Sequence, residues 1–156
     1  MHGEVQSPLR FALLYAILAL TLITSPFSAK ADDTVMQWNE IMQRTVAVSN
    51  PNFQARSAAI VQLAVYEAVN SILGEYAPYL GSIAAPADAS PHAACIAAAH
   101  RTLVTLYPTS TSNLDLAMGE SLATIADGPA KDAGIAVGEV AAIPATMQGA
   151  VGLAGQ

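Results

Sequence analysis

The stretch LAVYEAVNSI, from Leu63 to Ile72, places an acid and an amide, Glu67 and Asn70, inside an apolar run. A carboxyl group in such surroundings can act as a general acid or base, but that chemistry usually needs a second titratable group to divide the roles. No titratable residue stands three or four positions from Glu67. The pattern therefore favours a structural pair. Glu67 would reach solvent or another segment, and Asn70 would bond a neighbouring loop or helix end.

His92 and His100 are the histidines that follow the N-terminal segment, and they are eight residues apart. Two helical histidines that share a metal ion stand four residues apart on one face. Eight residues span about 12 Å of helix axis, so this pair is not expected to hold one ion. His100 and Arg101 form the most reactive dipeptide of the chain. Arg101 is predicted to point across the helix from the apolar stripe, and a structural role is favoured for both.

Cys95 is the single cysteine, so the chain can form no internal disulfide, and its predicted role is that of a small buried apolar residue. Gly134 and Gly138 stand four residues apart, which would let two helices approach closely. The simpler interpretation is that these glycines weaken the helix that contains them.

Tyr76, Pro78 and Tyr79 fall in a stretch rich in turn-forming residues. They suit a loop that packs back on the helices, and a recognition patch is the alternative. No Gly-x-Ser-x-Gly, His-Glu-x-x-His or Cys-x-x-Cys motif occurs, and no glycine loop typical of phosphate binding. The sequence therefore predicts no catalytic, cofactor-binding or metal-binding residue.

The elements that position these residues are all predicted to be helical. Thr34 and Gln37 fit a capping box that opens the first helix. A second, apolar and central helix is predicted from Pro51 to Leu73, with Asn50 as its N-cap and Gly74 just beyond its end. Three more are predicted to begin at Ser90-Pro91, at Ser112 and near Asp127-Gly128-Pro129. The predicted fold is all-α, a partial bundle of about four to five antiparallel helices.

The first 31 residues have the three parts of a secretory leader. Arg10 precedes the apolar block FALLYAILALTLI, and Ala29 to Ala31 supplies an Ala-x-Ala cleavage site. The block is shorter than the ~20 residues of a membrane-spanning helix, although an uncleaved anchor is the alternative. Residues 1–31 are thus predicted to be a signal peptide, and the protein to be exported to the periplasm or beyond the cell, with no membrane association after cleavage.

Charge limits the partners of the remaining chain. Only 12% of all residues are charged, and the net charge is −6 at pH 7. After cleavage the bases would be Arg44, Arg56, Arg101 and Lys131, against eleven acids. This balance argues against nucleic acid and against anionic membrane surfaces.

The end of the chain has a different character from the rest. No charged residue follows Glu139, and Pro144 interrupts the helical pattern. The sequence therefore predicts a helical domain over residues 32–142 and an irregular tail over residues 143–156, as a truncated or frame-shifted reading frame would produce.

Four successive segments carry a family resemblance: VMQWNEIM; AAIVQLAVYEAVNSI followed by YAPYL; SPHAACIAAAHRTLVTLYP; and LDLAMGESLATIADGPAKDAGIAVGEVAA. Their order and spacing resemble the N-terminal helical half of exported bacterial proteins of the vanadium-dependent haloperoxidase family, within the PAP2 phosphatase superfamily. The resemblance covers about Val35 to Ala142. It implies a helical fold whose complete members bind vanadate or phosphate.

In that family the anion pocket belongs to the C-terminal half, with Lys and Arg followed by Ser-Gly-His and Arg-x-x-x-His. Neither histidine motif occurs in this chain. The resemblance therefore implies an inactive scaffold portion that carries no vanadate of its own, whose partner would be a missing C-terminal half or a second copy. An exported helical binding module without catalysis is the alternative.

Overall fold

The computed structural model describes the backbone of residues 28–154 and the side chains of residues 34–148. Five α-helices follow one another: α1 (Ser28–Val46), α2 (Pro51–Leu73), α3 (Pro91–Leu106), α4 (Thr111–Leu122) and α5 (Pro129–Ala154). A short 3₁₀ turn, Pro108–Ser110, joins α3 to α4. No strand occurs in this range, and the all-α prediction is confirmed.

The ends of α2 and α3 follow from their capping residues. Asn50 Oδ1 accepts hydrogen bonds from the backbone N–H groups of Asn52 and Phe53, which have no partner inside the helix. Gly74 ends α2 in the left-handed conformation at φ 66° and donates its N–H to the carbonyl of Asn70. At α3 the Ser90 hydroxyl accepts from the N–H of Ala93. Both predicted start signals are confirmed.

Helix α3 occupies the centre of the fold, where the sequence had favoured α2. It contacts each of the other four helices. Its alanines are fully buried or nearly so, and small side chains on all sides allow several neighbours to approach at once. The buried core adds larger residues from the surrounding helices: Trp38, Met42, Val46, Ile60, Val61, Val65, Leu114 and Val137.

Gly134 and Gly138 let α5 lie directly against α3. A Cβ atom built on Gly138 would stand 2.4 Å from the Ala94 carbonyl oxygen and 2.7 Å from the Cβ of Ala97. One built on Gly134 would stand 2.4 Å from the carbonyl oxygen of Ser90. These distances are shorter than van der Waals contact. The two glycines therefore allow close approach of α3 and α5, which was one of the two roles that the sequence suggested for them.

The prediction of an irregular tail from residue 143 is wrong, because α5 continues through Pro144 to Ala154. Ala141, Ala142 and Ala145 are all buried, so the apolar face of the helix keeps its packing across the proline. Pro144 has no N–H to donate to the carbonyl of Val140. Val140 is half exposed, so this turn of the helix lies at the surface of the protein. Tertiary packing here overrides the local preference.

The predicted leader, residues 1–31, lies almost wholly outside the described residues. Within the part of the chain that the structure does describe, none of the helices has the length and apolar character needed to cross a bilayer.

Candidate functional site

Glu67 is one of the few polar residues in the interior, with only 1% of its surface exposed. It lies on α2 and faces the segment that follows this helix. Its Oε1 accepts hydrogen bonds from the backbone N–H of Tyr79, at 2.6 Å, and of Leu80, at 2.8 Å. A buried acceptor of this kind costs free energy unless it is bonded, and these two donors supply the bonds. Glu67 therefore fixes the path of the chain at residues 79 and 80.

Asn70, one helical turn further on, bonds the same segment. Its Oδ1 accepts from the N–H of Tyr76 at 2.9 Å, and its Nδ2 donates to the carbonyl of Tyr76 at 2.8 Å. Tyr66 adds a third attachment, because its hydroxyl donates to the carbonyl of Ala77 at 2.8 Å. Five hydrogen bonds from three neighbouring residues of α2 thus hold residues 75–80, which we call the pinned loop.

The structure confirms that Asn70 bonds a neighbouring loop and that Glu67 bonds another segment of the chain, and it specifies that segment. The sequence had also allowed Glu67 to reach solvent, and the burial of its side chain excludes that. The partners were not predictable from spacing, since Tyr79 and Leu80 are 12 and 13 residues away along the chain. The signal that existed was a pair of polar residues on an apolar helix just before a glycine.

The pinned loop turns its tyrosine rings outward while its backbone is held. Tyr76 is 67% exposed and Tyr79 is 75% exposed, and neither ring stacks on another aromatic ring of residues 34–148. Leu80 is partly buried and packs against the core. Gly74 at φ 66° and Gly81 at φ 126° bracket the loop with backbone conformations that other residues rarely adopt. The hydrogen bonds to α2 therefore hold the loop along its length, and a glycine at each end allows the chain to turn.

His100 makes a contact that the sequence did not predict. Its Nε2 lies 2.7 Å from Oδ1 of Asp115 on α4, and its ring meets the Trp38 indole edge to face at 6.4 Å between centroids. In an Asp–His pair that activates a nucleophile, the second ring nitrogen faces a hydroxyl or thiol. Here Nδ1 is buried and has no hydrogen-bond partner among the described residues. This geometry ties α3 to α4.

The basic side chains of residues 34–148 lie on four different helices, and three of them face an acid. Arg44 bonds Glu40 at 2.9 Å, Lys131 bonds Asp127 at 2.8 Å, and Arg101 lies 3.6 Å from Glu139. Arg101 thus faces α5 while its neighbour His100 faces α4. The hydrogen bond and positive charge of Lys131 hold the pKa of the Asp127 carboxyl below its usual value of 3.8.

A cleft of about 1210 Å³ opens beside the N-terminal half of α1, the last turn of α2 and the first turns of α3 and α5. His92 lines it and lies 3.2 Å, through Nδ1, from the Thr34 hydroxyl. The apolar wall of the cleft includes Ile72 and Ile125. Neither Glu67 nor His100 reaches this cleft, so the structure does not bring the candidate residues of the sequence together.

Cys95 is buried in the core, as predicted, and burial raises the pKa of its thiol to about 12. A thiol with that pKa is a poor nucleophile and metal ligand. Across residues 34–148 no three His, Cys, Asp or Glu side chains are grouped closely enough to hold a metal ion.

The chain matches no protein-family model, no curated protein and no solved structure.

Proposed function

We propose that this protein is a helical scaffold that performs no catalysis by itself and holds the pinned loop in a fixed conformation. The observation that carries the proposal is the bonding of Glu67. A general acid or base must reach a proton of the substrate. The Glu67 carboxyl is buried, and its Oε1 binds two backbone N–H groups of its own chain. It acts as a structural acceptor.

The positions of the basic residues support the same proposal. A site for vanadate or phosphate needs several Arg or Lys side chains that converge on one point. Arg44, Arg56, Arg101 and Lys131 belong to α1, α2, α3 and α5, and three of them already face a carboxylate. Their arrangement favours a scaffold that carries no oxyanion cofactor.

One setting for such a scaffold is an exported haloperoxidase-like protein whose vanadate or phosphate site lies on a second portion of the molecule. The support for this setting is the order of the four resembling segments in the sequence. In that setting the partner is the catalytic half or a second copy of this chain, and export follows from the leader pattern of residues 1–31.

The other setting is an exported binding module that works without a catalytic half. The pinned loop favours this second setting, because a scaffold element that only fills space has no need of an outward-facing surface held by buried polar residues. Five hydrogen bonds fix a segment whose two tyrosine rings contact little of the protein itself.

Activity assays of the purified full chain test the scaffold proposal. Halide oxidation is measured with hydrogen peroxide and added vanadate, and phosphatase turnover with a small phosphoester. We expect no saturable turnover in either assay. Saturable turnover that is lost in a His100→Ala or a Glu67→Gln variant would overturn the proposal and identify the residue responsible.

Solution behaviour separates the two settings. A binding module should be monodisperse in size-exclusion chromatography and unfold in one cooperative transition. A scaffold portion that lacks its other half should expose a large apolar surface and aggregate or bind a hydrophobic dye such as ANS.

A further inference from the structure

We infer that the pinned loop binds an arginine-bearing segment of a partner protein, through Tyr76, Tyr79 and Glu75. This inference rests on the proposed function and names the partner of its binding module. The face of a tyrosine ring carries negative electrostatic potential, and a guanidinium group stacks on it favourably. Arginine also pairs with carboxylates through two parallel hydrogen bonds. Exposed tyrosines beside an exposed acid therefore match arginine in both of its modes.

The charges around the loop favour a cationic partner over an anionic one. Glu75 is exposed and forms no ion pair with any residue that the structure describes. No lysine or arginine occurs in the sequence between Arg56 and Arg101, and the exposed acids of that stretch are Glu75 and Asp88. The net charge of −6 adds a field that attracts a cationic partner to the molecule as a whole.

The fixed backbone determines how much affinity this surface can provide. A flexible loop loses conformational entropy when it binds, and that loss weakens the complex. Glu67 and Asn70 have already ordered the backbone of residues 76–80 in the free protein, so the binding surface loses mainly the rotamer freedom of the Glu75, Tyr76 and Tyr79 side chains. Glu67 is in this sense a positioning residue, which acts on the partner only through the loop.

The test uses the full chain and a hexa-arginine peptide, with hexa-lysine and a neutral proline-rich peptide as comparison probes, in isothermal titration calorimetry. We expect hexa-arginine to bind more tightly than hexa-lysine, because the guanidinium stacks on aromatic faces better than the ammonium. Removing both rings, in a Tyr76→Ala and Tyr79→Ala double variant, should weaken the binding of hexa-arginine about tenfold. Glu75→Gln should weaken it by about threefold.

Matched controls separate the loop from the general negative charge. Phe53→Ala removes an aromatic residue that is 49% exposed elsewhere on α2, and Glu120→Gln removes an exposed acid of α4. Neither change should alter the affinity. The tyrosine substitutions keep the backbone groups that Glu67 and Asn70 bind, so circular dichroism should show unchanged helicity.

A second pair of variants tests the positioning role. Glu67→Ala removes the acceptor of the Tyr79 and Leu80 N–H groups, whereas Glu67→Gln keeps an oxygen there. Binding should be weaker in Glu67→Ala than in the wild type and should be retained in Glu67→Gln. The helix content of both variants should equal that of the wild type. Wild-type affinity in Glu67→Ala would show that the fixed backbone does not contribute.

Two results would overturn the inference. Hexa-arginine that binds the double tyrosine variant as tightly as the wild type would show attraction by net charge alone. Loop-dependent binding of the proline-rich peptide in place of hexa-arginine would keep the binding module and exclude the cationic partner. Failure of the proposed function itself would be seen separately, as catalytic turnover in the assays of the full chain.

Discussion

Replacement of Gly138 by alanine tests the packing on which the whole fold depends. The new Cβ would meet three atoms of α3 at 2.4, 2.7 and 2.8 Å, namely the Ala94 oxygen, the Ala97 Cβ and the Ala98 nitrogen. All three belong to the backbone or to a Cβ, so no rotamer change can relieve the contact. The two helices must therefore separate, which would reduce the packing of α3 against α5 along its length.

The magnitude follows from two opposing terms. Overpacking of a close-packed interior costs about 1–3 kcal/mol, and contacts this short with immobile atoms favour the upper end of that range. Alanine is favoured over glycine inside a helix by about 1 kcal/mol, which offsets part of the cost. We expect Gly138→Ala to lower the free energy of unfolding by about 2 kcal/mol.

Gly119 provides the matched control on α4. A Cβ atom there would meet nothing within 4 Å, so Gly119→Ala should stabilise the protein by about 0.5–1 kcal/mol. The assay is urea unfolding followed by circular dichroism, in which the midpoint changes and the slope stays constant. If Gly138→Ala were as stable as Gly119→Ala, the close approach of α3 and α5 would be refuted.

Three further predictions concern the thiol of Cys95, the carboxyl group of Asp127 and the N-terminal leader. Since burial raises the pKa of Cys95 to about 12, its alkylation by iodoacetamide at pH 8 should be about a thousandfold slower in the native than in the unfolded protein; equal rates would contradict the burial. The pKa of Asp127 is lowered from 3.8 by Lys131, so this pair contributes stability that is present above pH 3.8 and lost as the pH falls through the folded-state pKa. In an NMR titration the Asp127 midpoint should lie below 3.8 and return toward it in Lys131→Met. Expression in a bacterial host should yield a mature protein that begins at Asp32, as N-terminal sequencing would show; an intact N-terminus would favour an uncleaved anchor.

Local signals in the sequence were sufficient to predict the start of α2 and α3, whereas α1 begins at Ser28 and not at the capping box predicted at Thr34. Asn50-Pro51, Gly74 and Ser90-Pro91 act through bonds to residues within one turn, so the sequence alone predicts where α2 and α3 begin and where α2 ends. The course of α5 past Pro144 was not predictable in this way. It depends on buried alanines packed against another helix, and that contact is not a local property.

The same distinction applies to the candidate site. The sequence identified Glu67 and Asn70 as a structural pair and gave a recognition patch at Tyr76, Pro78 and Tyr79 as an alternative. It did not reveal that Glu67 and Asn70 hold the loop that carries the two tyrosines. Those hydrogen bonds form only because the chain reverses its direction after Gly74. The bond between His100 and Asp115 was missed for a similar reason, since it joins two helices across a turn.

The alanine-rich contact between α3 and α5 has a consequence for how the protein gains and loses order. Alanine and glycine have no side-chain torsions to freeze, so forming this contact costs almost none of the rotamer entropy that a leucine-rich interface would lose. The same residues bury little apolar area each, and their attraction comes from many short-range dispersion contacts that fade within an ångström. Such an interface loses much of its attraction as soon as the two helices begin to separate. We expect it to separate in a single step, without the swollen intermediate that long, mobile side chains can sustain.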